Sequence, residues 1–373
     1  MMRSAMMKKV CHMTSVHNRY DGRIFENECV ALAENGYETY LVVEDNGKDE
    51  ILDGVHFITT NHVPHNRIER MTISSQKVLK KALEVNADIY HIHDPELMIC
   101  GLKLKRKGKK VIFDAHENVV CSIESKEYIP TFLRKCIKHI YKKTEKKCCS
   151  KFDAIISVDP IICDNFKKIN ENVVMVTNYP RLELGNIENC EVTSTICFAG
   201  GIDSQWNHLN ILNAIKEIPE VKYVLCGFEN TEYMQKLQQN EGWKQVIYKG
   251  KVSHKEALSV MKHSGVIMAL CAYSGNTNGK YGTLGNTKLF EAMMMGRPVI
   301  CTDFELWKEI IDKYNCGLYV NPNDVEAIKT AINELLSNIE LNIKMGNNGK
   351  EAVKKEFNWS REEEKLLKLY AEI

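Results

Sequence analysis

The chain has almost no net charge. Its 50 Lys and Arg stand against 49 Asp and Glu over 373 residues, so bulk composition gives no electrostatic basis for binding nucleic acid. Long hydrophobic runs are missing too: the longest, such as Val266–Tyr273, reach about eight residues, against the roughly 20 that a membrane-spanning helix needs. Met1–Met7 meets Lys8 and Lys9 before an apolar stretch of about 7–15 residues could form, which argues against a secretory signal. No Cys-x-x-Cys occurs. The 14 cysteines are scattered, mostly inside apolar runs (Cys11, Cys197, Cys226, Cys271, Cys301), and Cys148 and Cys149 adjoin on an expected helix. They read as small core residues of a reduced, cytosolic protein, not as a disulfide framework or a zinc site. The first loop lacks the Gly-x-Gly-x-x-Gly turn of a nicotinamide-dependent dehydrogenase. The missing signal and the thiols argue against an exported solute-binding protein.

What is present is alternation. Lys9–Met13, Tyr37–Val43, Ile89–Ile92, Lys110–Phe113 and Ala154–Val158 read as strands with amphipathic segments between them. The alternation restarts after Thr195, with strands near Thr195–Ala199, Lys222–Cys226, Gln245–Tyr248, Val266–Leu270, Pro298–Cys301 and Gly317–Val320. This predicts an α/β protein of two doubly wound, Rossmann-like domains, residues 1–180 and 195–357. A linker at 181–194 joins them, where Asn178–Thr195 shows neither period. Helices are expected over Asp324–Ser337, Ile339–Phe357 and Arg361–Ala371, with residues 358–373 packing back on the first domain.

In open α/β sheets ligands bind beyond the carboxyl ends of strands. Two strands run into His93-Asp94-Pro95-Glu96 and Asp114-Ala115-His116-Glu117, which should open into one crevice. The first strand leads through His17, Asn18, Asp21, Gly22 and Arg23 to a helix near Ile24. Arg23 at a helix start is opposed by the dipole unless an anion sits nearby or Asp21 neutralises it. In the second half, Gly200-Gly201 follows a strand and precedes a helix expected at Gln205–Glu217; glycines there would let the backbone approach a diphosphate.

The densest segment is Gly279–Pro298, a flexible Gly/Asn/Thr loop entering a helix at Asn286–Met295, with Asn286 as its cap. Lys288 in the first turn and Glu291 three residues on either form a salt bridge or act on a ligand, with Lys288 neutralising phosphate and Glu291 accepting from vicinal hydroxyls. Between Gly101 and Lys151, fifteen Lys and Arg face five Asp and Glu. Much of this excess lies on the expected helix 131–149, where Arg134, Lys135, Lys138, Lys142, Lys143, Lys146 and Lys147 interleave with Phe132, Leu133, Ile137, Ile140 and Tyr141. Such an element either lies on an anionic membrane or is a solvated face.

Jointly and in order, these residues resemble the retaining family 4 glycosyltransferases of the GT-B fold, bacterial surface-polysaccharide branch, over almost the whole chain. The likeness rests on Thr14-Ser-Val-His17-Asn-Arg-Tyr-Asp21-Gly-Arg23-Ile-Phe-Glu-Asn-Glu28, on the two strand ends with His93 and His116, on Asn178-Tyr-Pro180, and on Lys288-Leu-Phe-Glu291-Ala-Met with Gly296-Arg-Pro-Val. The resemblance implies two Rossmann-like domains facing a cleft and transfer with retention from a nucleotide-sugar donor, UDP-sugar favoured and GDP-sugar second. The acceptor it implies is a glycan or a polyprenyl-diphosphate-linked glycan, in polysaccharide biosynthesis. Glu291 would bind the donor ribose, Lys288 and Gly200-Gly201 the diphosphate, and His116 the transferred sugar. His17, Asn18, Asp21, Arg23, His93 and Asp94 would line the acceptor side.

Two departures stand out. The family's glutamate eight positions before the ribose-binding one is Thr283 here, so sugar contacts would come from backbone near Leu284 and Gly285. The family's Arg and Lys after the Gly-rich turn are absent from Ile202–His208, and Lys280 or Arg23 would compensate. With no clear Asp-x-Asp, neither a metal nor another cofactor is expected, and the leaving phosphate would assist same-face attack. The expected location is the cytoplasm, with peripheral binding to the inner membrane face through residues 131–149. A GT-B-type epimerase differs in forming product without acceptor, and a two-lobed sugar-binding protein in forming none.

Overall fold

The computed structural model describes residues 7–125, 129–186 and 191–373. Val10, Cys11, His12 and Met13 of β1 (Lys9–Met13) are all buried, as a strand covered on both faces requires. Around it runs an eight-stranded sheet with β2 (Glu38–Val43), β3 (Glu50–Leu52), β4 (Val55–Thr59), β5 (Ile89–Ile92), β6 (Lys110–Ala115), β7 (Ala154–Ser157) and β8 (Val173–Met175). The order is β3-β4-β2-β1-β5-β6-β7-β8, parallel throughout except for the β3–β4 hairpin. One face packs Cys11, Met13, Val42, Ile92 and Phe113; the other packs Ile24, Phe25, Leu41 and Phe57.

The second sheet holds β9 (Thr195–Ala199), β10 (Lys222–Cys226), β11 (Val246–Gly250), β12 (Val266–Ala269), β13 (Val299–Thr302) and β14 (Gly317–Val320) in the order β11-β10-β9-β12-β13-β14. All its pairings are parallel. The chain divides into two compact units, Met1–Asn178 with Glu362–Ile373, and Tyr179–Arg361. The last helix, Trp359–Glu372, supplies Glu362 to the Thr177 N–H and Tyr370 to His91 in the first unit. The described cysteines are free, and all but Cys121 and Cys136 are buried.

Several local expectations change. The β3–β4 hairpin was not anticipated; it turns on Asp53-Gly54, both at positive φ, a turn that suits the strand twist. The helix expected from Gln205 begins at His208, because residues before it are tied elsewhere: Ile202 N–H to Phe228 O, Asn207 N–H to Leu270 O, and Gln205 O to the Ala272 N–H. The helix near Ile24 starts as a π-helical segment, Gly22–Cys29, capped by Asp21. After β14 the helices are Val325–Ser337, Ile339–Lys355 and Trp359–Glu372. In the expected linker a short 3-10 turn, Leu182–Gly185, packs against Met294, and residues 187–190 lie outside the described ones. So do residues 1–6, on which the reading against a signal partly rests.

Candidate functional site

In the first unit, chemistry gathers at the ends of β1, β5 and β6. Asp94 is buried and accepts from Thr14 Oγ1 (2.8 Å) and the Ser15 N–H (2.6 Å), and its other oxygen lies 3.5 Å from His17 Nε2. Asp21 caps Gly22–Cys29 through the N–H groups of Arg23 and Ile24, both at 2.9 Å, and sits 3.4 Å from His17 Nδ1. These two carboxylates outweigh burial and raise the His17 pKa. Asn18 is exposed, and its carbonyl accepts from the Asp21 N–H.

Arg23 does not face a ligand. Its guanidinium is buried and bidentate to Asp114 (2.8 and 2.9 Å), with Val176 O at 3.0 Å and Asn178 Oδ1 at 2.6 Å. Glu28 Oε1 lies a further 3.2 Å from its Nε, so the guanidinium is matched by buried carboxylates and is not a spare phosphate cation. A carboxylate 91 positions away satisfies it, a pairing that only the sheet order creates.

Asp114 also lies 3.0 Å from His116 Nε2, while His93 Nδ1 is 3.2 Å from the same nitrogen. Burial alone would raise the Asp114 pKa; Arg23 and His116 overcome it and hold the carboxyl well below its ordinary range. His116 therefore donates through Nε2 to Asp114. His116 keeps partial exposure, and its ring stands 4.8 Å from that of His17. The two strand-end clusters do converge, with His93 as the buried bridge. Asp114 was placed in the strand-end cluster by the sequence but given no role there; its position two residues before His116, on the same strand face, was the available signal.

In the second unit, Lys288 and Glu291 form the expected pair, Nζ to Oε2 at 3.1 Å, on the helix Lys288–Met294. The other Glu291 oxygen meets His254 Nε2 at 3.0 Å, a partner not foreseen. Burial would push Glu291 up, but the Lys288 charge and the His254 contact hold it down at about 2. Lys288 also lies over Gly200: a Cβ there would stand 2.9 Å from Lys288 Cε. Gly200, Lys288 and Glu291 are thus brought together. Gly201 is exposed, and a Cβ there would meet Asp203 Oδ2 at an ordinary 3.7 Å.

The turn has a second glycine that sequence reading passed over. Gly227, after β10, holds φ at 142°, and a Cβ on it would fall 1.6 Å from the Gly200 carbonyl oxygen. The loop ahead of Lys288 is pinned. Thr277 is buried and hydrogen-bonded within it, Trp307 Nε1 donates to Thr283 O (2.9 Å), and Gly282 abuts Phe304. Leu284 is buried, and the Gly285 N–H is given to Thr283 Oγ1 at 3.1 Å. Thr287, not Asn286, occupies the cap position, while Asn286 Oδ1 accepts the Lys288 N–H at 3.0 Å. Lys280 is exposed over the Tyr273 ring at 5.2 Å.

Two parallel-sheet Rossmann-like units with polar strand ends are what glycosyltransferases of the GT-B architecture are built from. Within it, residues 22–178 match the family model described as Glycosyltransferase Family 4, and residues 189–352 the one described as Glycosyl transferases group 1, so the chain is a glycosyltransferase of GT-B type carrying both domains. It is 25% identical to an uncharacterized glycosyltransferase of Methanocaldococcus jannaschii over 73% of this chain and 70% of that protein. Among solved structures it resembles sucrose-phosphate synthase from Thermosynechococcus elongatus (TM-score 0.77, 16% identity, 98% of each chain). It also resembles Anabaena HepE bound to UDP and glucose (TM-score 0.70, 12% identity, 98% of this chain and all of that one).

Proposed function

We propose that this protein transfers a sugar, with retention, from a nucleotide-sugar donor to a glycan or polyprenyl-diphosphate-linked glycan in polysaccharide biosynthesis. The observation that carries this reading is the Gly200–Lys288–Glu291–His254 arrangement. It offers one cation beside a close backbone turn for a diphosphate, and one ionised, buried carboxylate for vicinal hydroxyls. The UDP held by the Anabaena neighbour supports a UDP-sugar donor over a GDP-sugar. As the sugar–diphosphate bond breaks, Lys288 and the N–H groups at the turn would stabilise charge on the leaving phosphate, which would guide the acceptor hydroxyl to the same face. Leu284 and Gly285 would meet the sugar through backbone, and His116 would contact it through Nδ1. Transfer in this scheme calls on no metal.

His17, Asn18, Asp21 and Asp94 would receive the acceptor, with Arg23 and His93 behind them as supports. No helix among the described residues is long and apolar enough to cross a membrane. The helix Thr131–Cys149 exposes Phe132 (71%) and Ile140 (64%) among its lysines, which supports peripheral binding to the inner face of the membrane by a cytoplasmic protein. The test is a thermal-shift panel of UDP-, GDP- and ADP-sugars followed by product analysis with lipid-linked acceptors. Stabilisation by a UDP-sugar and transfer with the anomeric configuration kept are expected. Stabilisation by none, or turnover of the nucleotide-sugar without acceptor into an epimer, would overturn the reading.

A further inference from the structure

Three imidazoles and a carboxylate converge in the core of the first unit. Parallel pairing of β1 with β5 sets His12 beside His91, and His93 follows two residues on, on the same face of the sheet. Glu28 reaches them from Gly22–Cys29, and none of the four is more than 2% exposed. Glu28 Oε2 stands 3.7 Å from His91 Nδ1, 3.9 Å from His12 Nδ1 and 4.0 Å from His93 Nε2. These are too long for hydrogen bonds, and neither Glu28 oxygen has a hydrogen-bond partner. The four atoms lie within 4.8 Å of one another.

A tetrahedral ion at about 2.0–2.2 Å from nitrogen and oxygen ligands holds those ligands roughly 3.3–3.5 Å apart. To reach that spacing the carboxylate would close by about half an ångström, and His12 Nδ1 and His93 Nε2, now 2.9 Å apart, would open by about as much. Two of the three rings have the outward partner that ligands of this kind require: the outward His12 Nε2 is 3.3 Å from the Tyr370 hydroxyl, and the outward His93 Nδ1 is 3.4 Å from Asp114, while the outward His91 Nε2 has none. Arg23 Nε stands 3.2 Å behind Glu28 Oε1, its charge already matched by Asp114. Without an ion, His12 Nδ1 and His93 Nε2 share a proton at 2.9 Å, and His91 Nδ1 meets Tyr370 at 2.8 Å. Ligation through Nδ1 calls for His12 and His91 in the Nε2-protonated form, and for His12 this moves the proton now shared with His93.

We propose that His12, Glu28, His91 and His93 bind a divalent cation of the zinc class. Four protein ligands leave no open position, so the ion ties β1, β5 and the Gly22–Cys29 segment together and does not take part in transfer. The inference stands independently of donor or acceptor.

The experiment is metal analysis of the untagged full chain, prepared without added metal, followed by chelator stripping and titration with Co²⁺. About one zinc-class ion per chain is expected, with a visible ligand-field band on cobalt addition. Glu28→Gln should weaken cobalt binding roughly tenfold or more. If that variant does not fold, the wild-type titration still decides. Stripped wild-type protein that is folded by circular dichroism, develops no cobalt band and melts at the same temperature with and without zinc would overturn the proposal.

Discussion

Asp114 organises the first unit's polar cluster because one carboxylate serves both a buried guanidinium and the exposed-side histidine. Asp114→Asn removes the bidentate counter-charge of buried Arg23 and leaves Glu28, 3.2 Å from its Nε, as the nearest carboxylate, so stability should fall by about 3–5 kcal/mol in urea denaturation; a loss under about 1 kcal/mol would mean that the pair is not structural. His116→Ala should leave nucleotide affinity nearly unchanged and lower transfer strongly, since its nitrogen facing away from Asp114 is assigned to the sugar. Turnover within about twofold of wild type would remove it from the site. Glu291 carries a pH signature. Its folded pKa, about 2, lies below the unfolded value, so its contribution is complete above about pH 5 and is lost as pH falls toward 2. Lys288→Met should therefore destabilise by about 1–2 kcal/mol at pH 6, and its gap to wild type should narrow between pH 5 and pH 3; a gap independent of pH contradicts the pairing. Lys288 and Glu291 were legible because their spacing is local. Arg23 was misread because its partner is distant in sequence, and His254, 37 positions from Glu291, escaped for the same reason.

At the scale of elements, Gly200-Gly201 was readable and Gly227 was not, because the need for the latter arises only when two parallel strand ends lie side by side. Gly227→Ala places a methyl into the Gly200 carbonyl. The turn must shift, and the variant should lose donor binding together with more than about 1 kcal/mol of stability, measured by calorimetry and denaturation; an unperturbed variant would show the approach to be slack. Most strands were found by their apolar runs, whereas β3, β4 and β8 were not: β3 and β8 are short and have no fully buried residue, and β4 alternates buried with half-buried positions. The helix Thr131–Cys149 buries only Cys148 and Cys149 among its residues, so most of its length is free to meet something else. Changing Lys138, Lys142, Lys143 and Lys146 to Gln should abolish salt-sensitive sedimentation with anionic liposomes, at about 1 kcal/mol per engaged side chain. Equal binding by both proteins, or none by wild type, would leave it a solvated face.

For the whole molecule, two separately packed parallel sheets follow from two runs of alternating strands and helices, and this was visible before any contact was known. What was not visible is the buried chemistry of the first unit: His12, Glu28 and His91 fall in ordinary-looking elements and become a cluster only through strand register and the helical crossing. The central claim is that the second unit binds a nucleotide-sugar through Glu291 and Lys288. Isothermal calorimetry of wild type and Glu291→Ala with the UDP-sugar that stabilises the protein tests it most directly. Loss of hydrogen bonds from a charged acceptor should cost about 1.5–3 kcal/mol, roughly 10- to 150-fold in affinity, with the fold intact by circular dichroism. A folded Glu291→Ala variant that binds the nucleotide-sugar as tightly as wild type would contradict the account.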